Sequence, residues 1–159
     1  MSRLSGSILG AIFILFTFFA AGPVSPALAG SRDGVVVVAS RYSVDETVQR
    51  IKADVEKKGI MLFADIDQAK LGNDAGNKVL PSRLVLFGNP ALGTTFITAR
   101  QTSGLDWPVR VLVFQKKDGS VRVAYSDFGW IAKRHGIKNR KKEFAMATMV
   151  IRSVTDSIR

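Results

Sequence analysis

The sequence contains no cysteine and only one histidine, His135, and these two scarcities narrow the chemistry of the chain. Without thiols the chain forms no disulfides, thiolate zinc sites, iron–sulfur clusters or c-type haem attachments. One histidine gives no paired ligand spacing of the kind found on metal-binding helices, so we expect neither a metal site nor a cofactor. His135 follows Lys133 and Arg134, and we expect it to be solvated or to cap a helix.

Long apolar runs are also scarce, and the one near the N-terminus, from Ile8 to Ala21, is shorter than the roughly 20 residues of a membrane-spanning helix. Arg3 precedes this run, and Ala27-Leu28-Ala29 follows it as a small-residue cleavage site. This order predicts a secretory signal peptide over residues 1–29, and a single domain over residues 30–159 that is periplasmic or secreted. The alternative is an uncleaved N-terminal anchor.

Acidic residues are few, since 13 Asp and Glu stand against 23 Lys and Arg, for a net charge of +10. The excess is strongest in residues 131–159, where eight basic residues accompany two acidic ones. Clustered Lys and Arg suit nucleic acid, but the predicted export argues against that partner. Peripheral contact with anionic envelope surfaces fits better, and a solvated charged face that maintains solubility is the simpler interpretation.

Apolar periodicity and turn residues predict an α+β fold. Ser43 and Glu46 have the spacing of a capping box before a helix that ends at Gly59, and Asp118-Gly119 predicts a hairpin. The predicted strands cover residues 35–39, 60–66, 84–87, 109–115 and 120–125, and further helices cover residues 91–101, about 128–135 and 143–158. We expect a single two-layer domain, with a mixed β-sheet of about five strands and helices mainly on one face. An uncovered second face would be a ligand floor or the interface of a homodimer.

The turn Gly88-Asn89-Pro90 is the strongest candidate for a binding site. Asn89 suits a helix N-cap and Pro90 the first helical position, so free backbone N–H groups would point beyond the preceding strand. Arg110 on the hairpin is expected nearby, where it could meet Arg122 across the strands. These residues together predict a concavity for a small anionic or amphipathic ligand. The alternatives are a purely structural capping turn and arginines that pair with acids or reach solvent.

Two carboxylates, Asp65 and Asp67, alternate along a strand and would point to one side, as a hard cation or a catalytic proton requires. The simpler interpretation is that Asp67 caps a short helix while Asp65 faces water. The other groups available to an enzyme are Tyr42, Tyr125, Asp127 and His135. They form no recognisable set of nucleophile, base and orienting group, so the sequence leaves open whether the protein is an enzyme.

Several segments resemble the family called domain of unknown function 302. They are Leu84-Val85-Leu86-Phe87-Gly88-Asn89-Pro90, Pro108-Val109-Arg110-Val111-Leu112-Val113, Asp118-Gly119, Tyr125 and Ile131-Ala132-Lys133-Arg134-His135-Gly136-Ile137. The resemblance implies a small α+β domain capable of self-association, and it brings no established reaction or catalytic residue. We therefore expect an exported ligand-binding or accessory module, with an enzyme of unrecognised class and an envelope-associated structural protein as the alternatives.

Overall fold

The computed structural model describes residues 33–159, so the predicted signal peptide and its cleavage site lie outside the described residues. In chain order the elements are β1 (Val35–Ser40), α1 (Val44–Lys57), β2 (Met61–Asp67), α2 (Gln68–Asp74), β3 (Ser82–Gly88), α3 (Pro90–Ala99), a 3₁₀ helix (Gln101–Asp106), β4 (Val109–Gln115), β5 (Val121–Ser126), α4 (Phe128–Arg134) and α5 (Lys141–Asp156). None of the helices within residues 33–159 combines the length and the apolar composition that crossing a membrane requires.

The five strands form one sheet in the order β1-β5-β4-β3-β2. The expected α+β class and five-stranded sheet are confirmed, but the sheet is antiparallel throughout rather than mixed. A helix between two neighbouring strands often carries the chain to the opposite end and makes them parallel. Here α3 leads away from the end of β3, and the 3₁₀ helix that follows brings the chain back to that same end. Val109, the first residue of β4, therefore pairs with Phe87 near the end of β3.

Helix α1 begins and ends where its sequence predicts. The Ser43 hydroxyl accepts a hydrogen bond from the Glu46 backbone N–H at 3.2 Å, which satisfies a donor of the first turn. The Glu46 carboxylate does not complete the capping box, because it pairs with Arg50 one turn later. Gly59, with φ of +64°, provides the left-handed residue after the helix end.

The core lies between one face of the sheet and the helices. The buried face of the sheet includes Val85 on β3, Val111 on β4 and Val123 on β5, none of which has any exposed surface. On the helices that cover this face, Ile51 of α1 is fully buried and Ile151 of α5 is 2% exposed. The opposite face remains partly open and apolar: Val35 and Val37 are exposed, and Leu84, Leu86 and Leu112 are half-buried. The expectation of helices mainly on one face is thereby confirmed.

The first strand is held by the last elements of the chain. Along its length β1 pairs with β5, from Val35 opposite Ser126 to Ser40 opposite Val121. At its end, the Arg41 backbone N–H donates to the Ile158 carbonyl at 3.2 Å. The two ends of the described chain are thus joined on one edge of the sheet.

Candidate functional site

A cavity of about 240 Å³ lies beside the end of β3, under the start of α3 and against α5. Its walls are mostly apolar side chains contributed by both sheet and helices. The lining residues are Lys58, Ile60, Phe87, Gly88, Asn89, Leu92, Trp107, Val109, Phe128, Met146, Ala147, Val150 and Ile151. A concave, apolar site with few polar groups is the usual form of a small-molecule site.

Trp107 is positioned in this cavity by two glycines. A Cβ added to Gly88 would lie 2.7 Å from Cζ2 of the indole, and a Cβ added to Gly93 would overlap the indole nitrogen and the adjacent ring carbon. On a third side, the Phe96 ring lies 6.0 Å from Trp107 between centroids, with the ring planes inclined at 58°. The ring therefore fills a slot that exists because residues 88 and 93 carry no side chain.

The polar groups of the cavity are few and partly engaged. The Asn89 side-chain oxygen accepts from the Leu92 backbone N–H at 3.2 Å and so caps α3 as predicted, which leaves its amide NH₂ available for another partner. The Lys58 ammonium is paired with Asp54. Met146, half exposed, forms part of the wall, and an unbranched thioether side chain adapts readily to different shapes.

The structure brings together only part of the predicted set. Gly88 and Asn89 line the cavity, while Pro90 is the exposed first residue of α3 and is not among the lining residues. Arg110 stands opposite Leu86 on the open face of the sheet, so it points away from the cavity. The prediction that it meets Arg122 is wrong, because Arg122 pairs with Phe114, four residues further along β4.

Arg110 instead belongs to a cluster around the carboxylate of Asp106, which is only 3% exposed. Arg110 donates to Asp106 Oδ1 at 2.8 Å, and Arg134 Nη1 donates to both oxygens at 3.1 and 3.0 Å. Nε2 of His135 lies 2.6 Å from Oδ2, and its Nδ1 lies 3.2 Å from the Thr102 hydroxyl. Of the two expectations for His135, the solvated side chain is wrong, because the ring is buried between a carboxylate and a hydroxyl. The capping position is confirmed, because His135 is the C-cap residue of α4 and its backbone N–H donates to the Ile131 carbonyl at 3.1 Å.

The two aspartates of β2 have structural partners. Asp67 caps α2 by accepting from the Lys70 backbone N–H at 2.8 Å, as the simpler interpretation predicted. Asp65 does not face water: it binds Arg83 at 2.7 Å and Lys52 at 3.2 Å. The hydrogen bond from Arg83 to Asp65 raises the pKa of the Arg83 guanidinium above its ordinary value.

The remaining candidates for enzymatic groups are spread over the fold. Asp127 caps α4 by accepting from the Trp130 backbone N–H at 2.7 Å, and burial raises the pKa of the Tyr125 phenol above 10.0. The guanidinium of Arg50 lies over the Tyr42 ring, with its carbon 3.8 Å from the ring centroid. Over residues 33–159 we find no group of three His, Asp or Glu side chains placed to hold a metal ion.

Sequence reasoning missed Trp107 and Gly93 as parts of the site. A glycine inside a helix disfavours that helix by about 1 kcal/mol relative to alanine, so Gly93 was a signal that something packs closely against α3. The sequence gives no indication that its partner is a tryptophan 14 positions later in the chain.

Part of the chain is similar in sequence to curated proteins. The fluoride-specific ion channel FluC 1 of Brucella suis biovar 1 (strain 1330) is 36% identical over 104 residues, which are 65% of this chain and 41% of that protein. FluC 2 of Brucella melitensis biotype 1 is likewise 36% identical over 104 residues, covering 65% of this chain and 38% of that protein. This chain therefore spans less than half the length of the curated relatives it matches.

The fold and the family are shown by two further matches. The crystal structure of the uncharacterized conserved protein DUF302 from Bacillus stearothermophilus superposes with a TM-score of 0.72 at 14% identity, over 79% of this chain and 98% of that one. At that identity the similarity is one of fold. The family model for the domain of unknown function DUF302 matches residues 36–154. The chain belongs to the DUF302 family.

Proposed function

We propose that the protein is an exported binding module and that the cavity beside Trp107 holds a small amphipathic ligand. The observation that carries this proposal is the slot made by Gly88 and Gly93, which lets an aromatic ring form one wall of a largely apolar cavity. Apolar surface removed from water provides about 25 cal/mol per Å², so a ligand that fills such a space gains affinity from its hydrocarbon part.

The size and polarity of the cavity define the ligand class. Its volume, about 240 Å³, is below the roughly 300–1,000 Å³ of sites for drug-sized molecules, so the ligand is a short chain or a single ring. The amide NH₂ of Asn89 offers a donor for one polar end of the ligand. Since Asp54 already neutralises Lys58, a neutral hydrogen-bonding end suits the cavity better than an anionic one.

Binding is testable with short amphiphiles of matched length: hexanol, hexanamide and hexanoate. In a Trp130→Phe background, Trp107 is the only tryptophan, so its fluorescence reports on the cavity, while NMR follows the amides of Gly88 and Asn89. We expect saturable shifts that are stronger for the neutral probes than for hexanoate. Val150 lines the cavity and Met149 is 65% exposed beside it, which makes Val150→Phe a filling variant and Met149→Phe its matched control, and neither adds a second tryptophan.

The proposal stands if Val150→Phe abolishes the shifts and Met149→Phe retains them. It fails if no probe saturates, or if both variants respond as the parent does. A third pattern, with shifts confined to the basic residues Lys138, Lys141 and Lys142, would move the function to contact with anionic envelope surfaces, which is the alternative suggested by the charge of that region.

Export rests on the order of residues in the N-terminal segment, a lone basic residue, an apolar run and Ala27-Leu28-Ala29. We expect protein recovered from the envelope fraction of the organism of origin to begin at Gly30. N-terminal sequencing measures this directly. A chain that begins at Met1 or Ser2 and stays with the membrane would instead be anchored.

A second candidate function is an accessory role in fluoride transport. The observation that favours it is the 36% identity to proteins named fluoride-specific ion channels, shared over 104 residues. We expect deletion of the gene to lower the fluoride concentration that arrests growth of the organism of origin, with chloride at the same ionic strength as control. Equal tolerance of fluoride in the deletion and parent strains would remove this candidate.

A further inference from the structure

A second site is built around the buried carboxylate of Asp106, the last residue of the 3₁₀ helix before β4. Two guanidinium groups, from Arg110 and Arg134, bind that single carboxylate, and a third, from Arg100, donates its Nε to the His135 carbonyl at 3.3 Å. Among the described residues, Asp106 is the only acidic side chain bonded to any of the three arginines. The cluster therefore carries more positive charge than its one carboxylate balances.

Arg110 and Arg134 are held in position by Asp106, and their nitrogens that do not bind Asp106 remain accessible. Arg110 Nη2 and Arg134 Nη1 both bind Oδ1, at 2.8 and 3.1 Å, so these two nitrogens are at most about 6 Å apart. Trp130 adds a further support, with its ring centroid 5.4 Å from the Arg134 guanidinium carbon. The side chains of Arg110 and Arg134 are nevertheless 45% and 42% exposed, so donors unused by Asp106 face solvent.

Such an arrangement favours a small oxyanion. A guanidinium presents five donors in a planar fork, and each arginine uses only one nitrogen on Asp106, which leaves several for an external acceptor. Because the buried carboxylate already restricts both side chains, a ligand that bridges them loses less side-chain entropy than it would on free arginines. A cleft lined in part by Asp106 and Arg110 has a volume of only about 10 Å³, so the ligand would bind on the surface outside this cleft.

We infer that Arg110 and Arg134 form a surface site for a phosphate group, either free or as a phosphomonoester. Phosphate suits the site because its several oxygens can accept from two forks at once. The site is separate from the cavity proposed above, since neither arginine is a lining residue there. Either site can therefore fail without the other.

The test uses inorganic phosphate at pH 7.5 and constant ionic strength, with sulfate and acetate as comparison anions. NMR of the arginine Nε–H signals and of the backbone amides of residues 106–110 follows binding. We expect saturable shifts at Arg110 and Arg134 with phosphate, weaker ones with acetate, and at least tenfold weaker phosphate binding in Arg110→Gln and in Arg134→Gln. Arg122→Gln is the matched control, because it removes one positive charge from the same hairpin without touching the cluster.

Stability must be separated from binding, since each arginine also compensates a buried carboxylate. Arg134→Lys keeps the charge and replaces the planar fork, so we expect a folded protein, checked by circular dichroism, whose phosphate affinity falls several-fold. The inference is overturned if phosphate shifts no signal near Asp106, or if Arg122→Gln weakens binding as much as Arg110→Gln does. It is equally overturned if Arg134→Lys binds phosphate as tightly as the parent, because any cation would then suffice.

The source of the phosphate group is distinguished by a second assay. Vesicles of phosphatidylcholine with phosphatidic acid display a phosphomonoester on a surface, and phosphatidylcholine alone provides the blank. Sedimentation with the phosphatidic acid vesicles that is lost in Arg110→Gln supports a lipid head group, whereas phosphate binding without sedimentation supports a soluble ligand.

Discussion

Substituting Gly93 by alanine tests the central feature of the cavity, the slot that holds Trp107. In a helix interior, alanine is favoured over glycine by about 1 kcal/mol, so propensity alone predicts a more stable protein. Against this, the new methyl group would overlap the indole of Trp107, whose ring also lies against Gly88 and so cannot retreat in that direction. Overpacking of this kind costs about 1–3 kcal/mol.

The second effect is the larger, and we expect Gly93→Ala to lower the free energy of unfolding by about 1 kcal/mol net. The displaced ring should also shift the Trp107 emission in the Trp130→Phe background and weaken binding of the short amphiphiles about tenfold or more. Urea unfolding followed by circular dichroism measures the first quantity, and fluorescence titration measures the other two.

Gly104 provides the matched control, because the nearest heavy atom to a Cβ added there is Ile97 Cδ1, at 3.9 Å. Gly104→Ala should leave the free energy of unfolding within about 0.5 kcal/mol of the parent, as is usual for substitutions that touch nothing critical. Should Gly93→Ala prove as stable as Gly104→Ala, with unchanged emission and unchanged binding, the slot would have no role and the account of the cavity would be wrong.

Three further predictions concern local structure. Ser43→Ala should destabilise the protein by about 1 kcal/mol because the Glu46 backbone N–H loses its acceptor, and a lower urea midpoint would show this. Gly119→Ala should cost about 1–2 kcal/mol, since φ at that position is +81°; an unchanged midpoint would contradict the assigned turn. Burial raises the pKa of Tyr125 above 10.0, so the neutral phenol stabilises the fold below pH 10 and that contribution disappears as pH rises through the folded-state pKa. Absorbance titration of a Tyr42→Phe variant should show ionisation above pH 10, and a midpoint at or below it would refute the burial argument.

Features decided within a few residues were predictable from the sequence. Ser43, Asn89 and Asp127 cap the helices that follow them, because a cap needs only a short polar side chain and an N–H group three positions later. The hairpin at Asp118-Gly119 was predictable for the same reason, since the turn residues themselves set the geometry.

Features that depend on the meeting of distant segments were not predictable. Asp106 lies 28 and 29 positions before its partners Arg134 and His135, and no local pattern indicates that these side chains contact a buried carboxylate. The placement of Arg110 failed similarly: alternation along β4 predicts two faces but not which of them faces the cavity. The direction of neighbouring strands depends on the 3₁₀ helix before β4, which has no strong sequence signature.

The pairing of β1 with β5 has a consequence for the timing of folding. The first strand of the described chain finds its hydrogen-bonding partner only when Val121–Ser126 is available, and the Arg41 backbone N–H that follows it donates to the Ile158 carbonyl. Contacts between such distant segments form slowly, because a long loop must close before they contribute. A growing chain consequently cannot complete this sheet until Val121–Ser126 has been synthesised. For a protein that is to be threaded through a membrane unfolded, as we propose for this one, such delay keeps the chain competent for translocation.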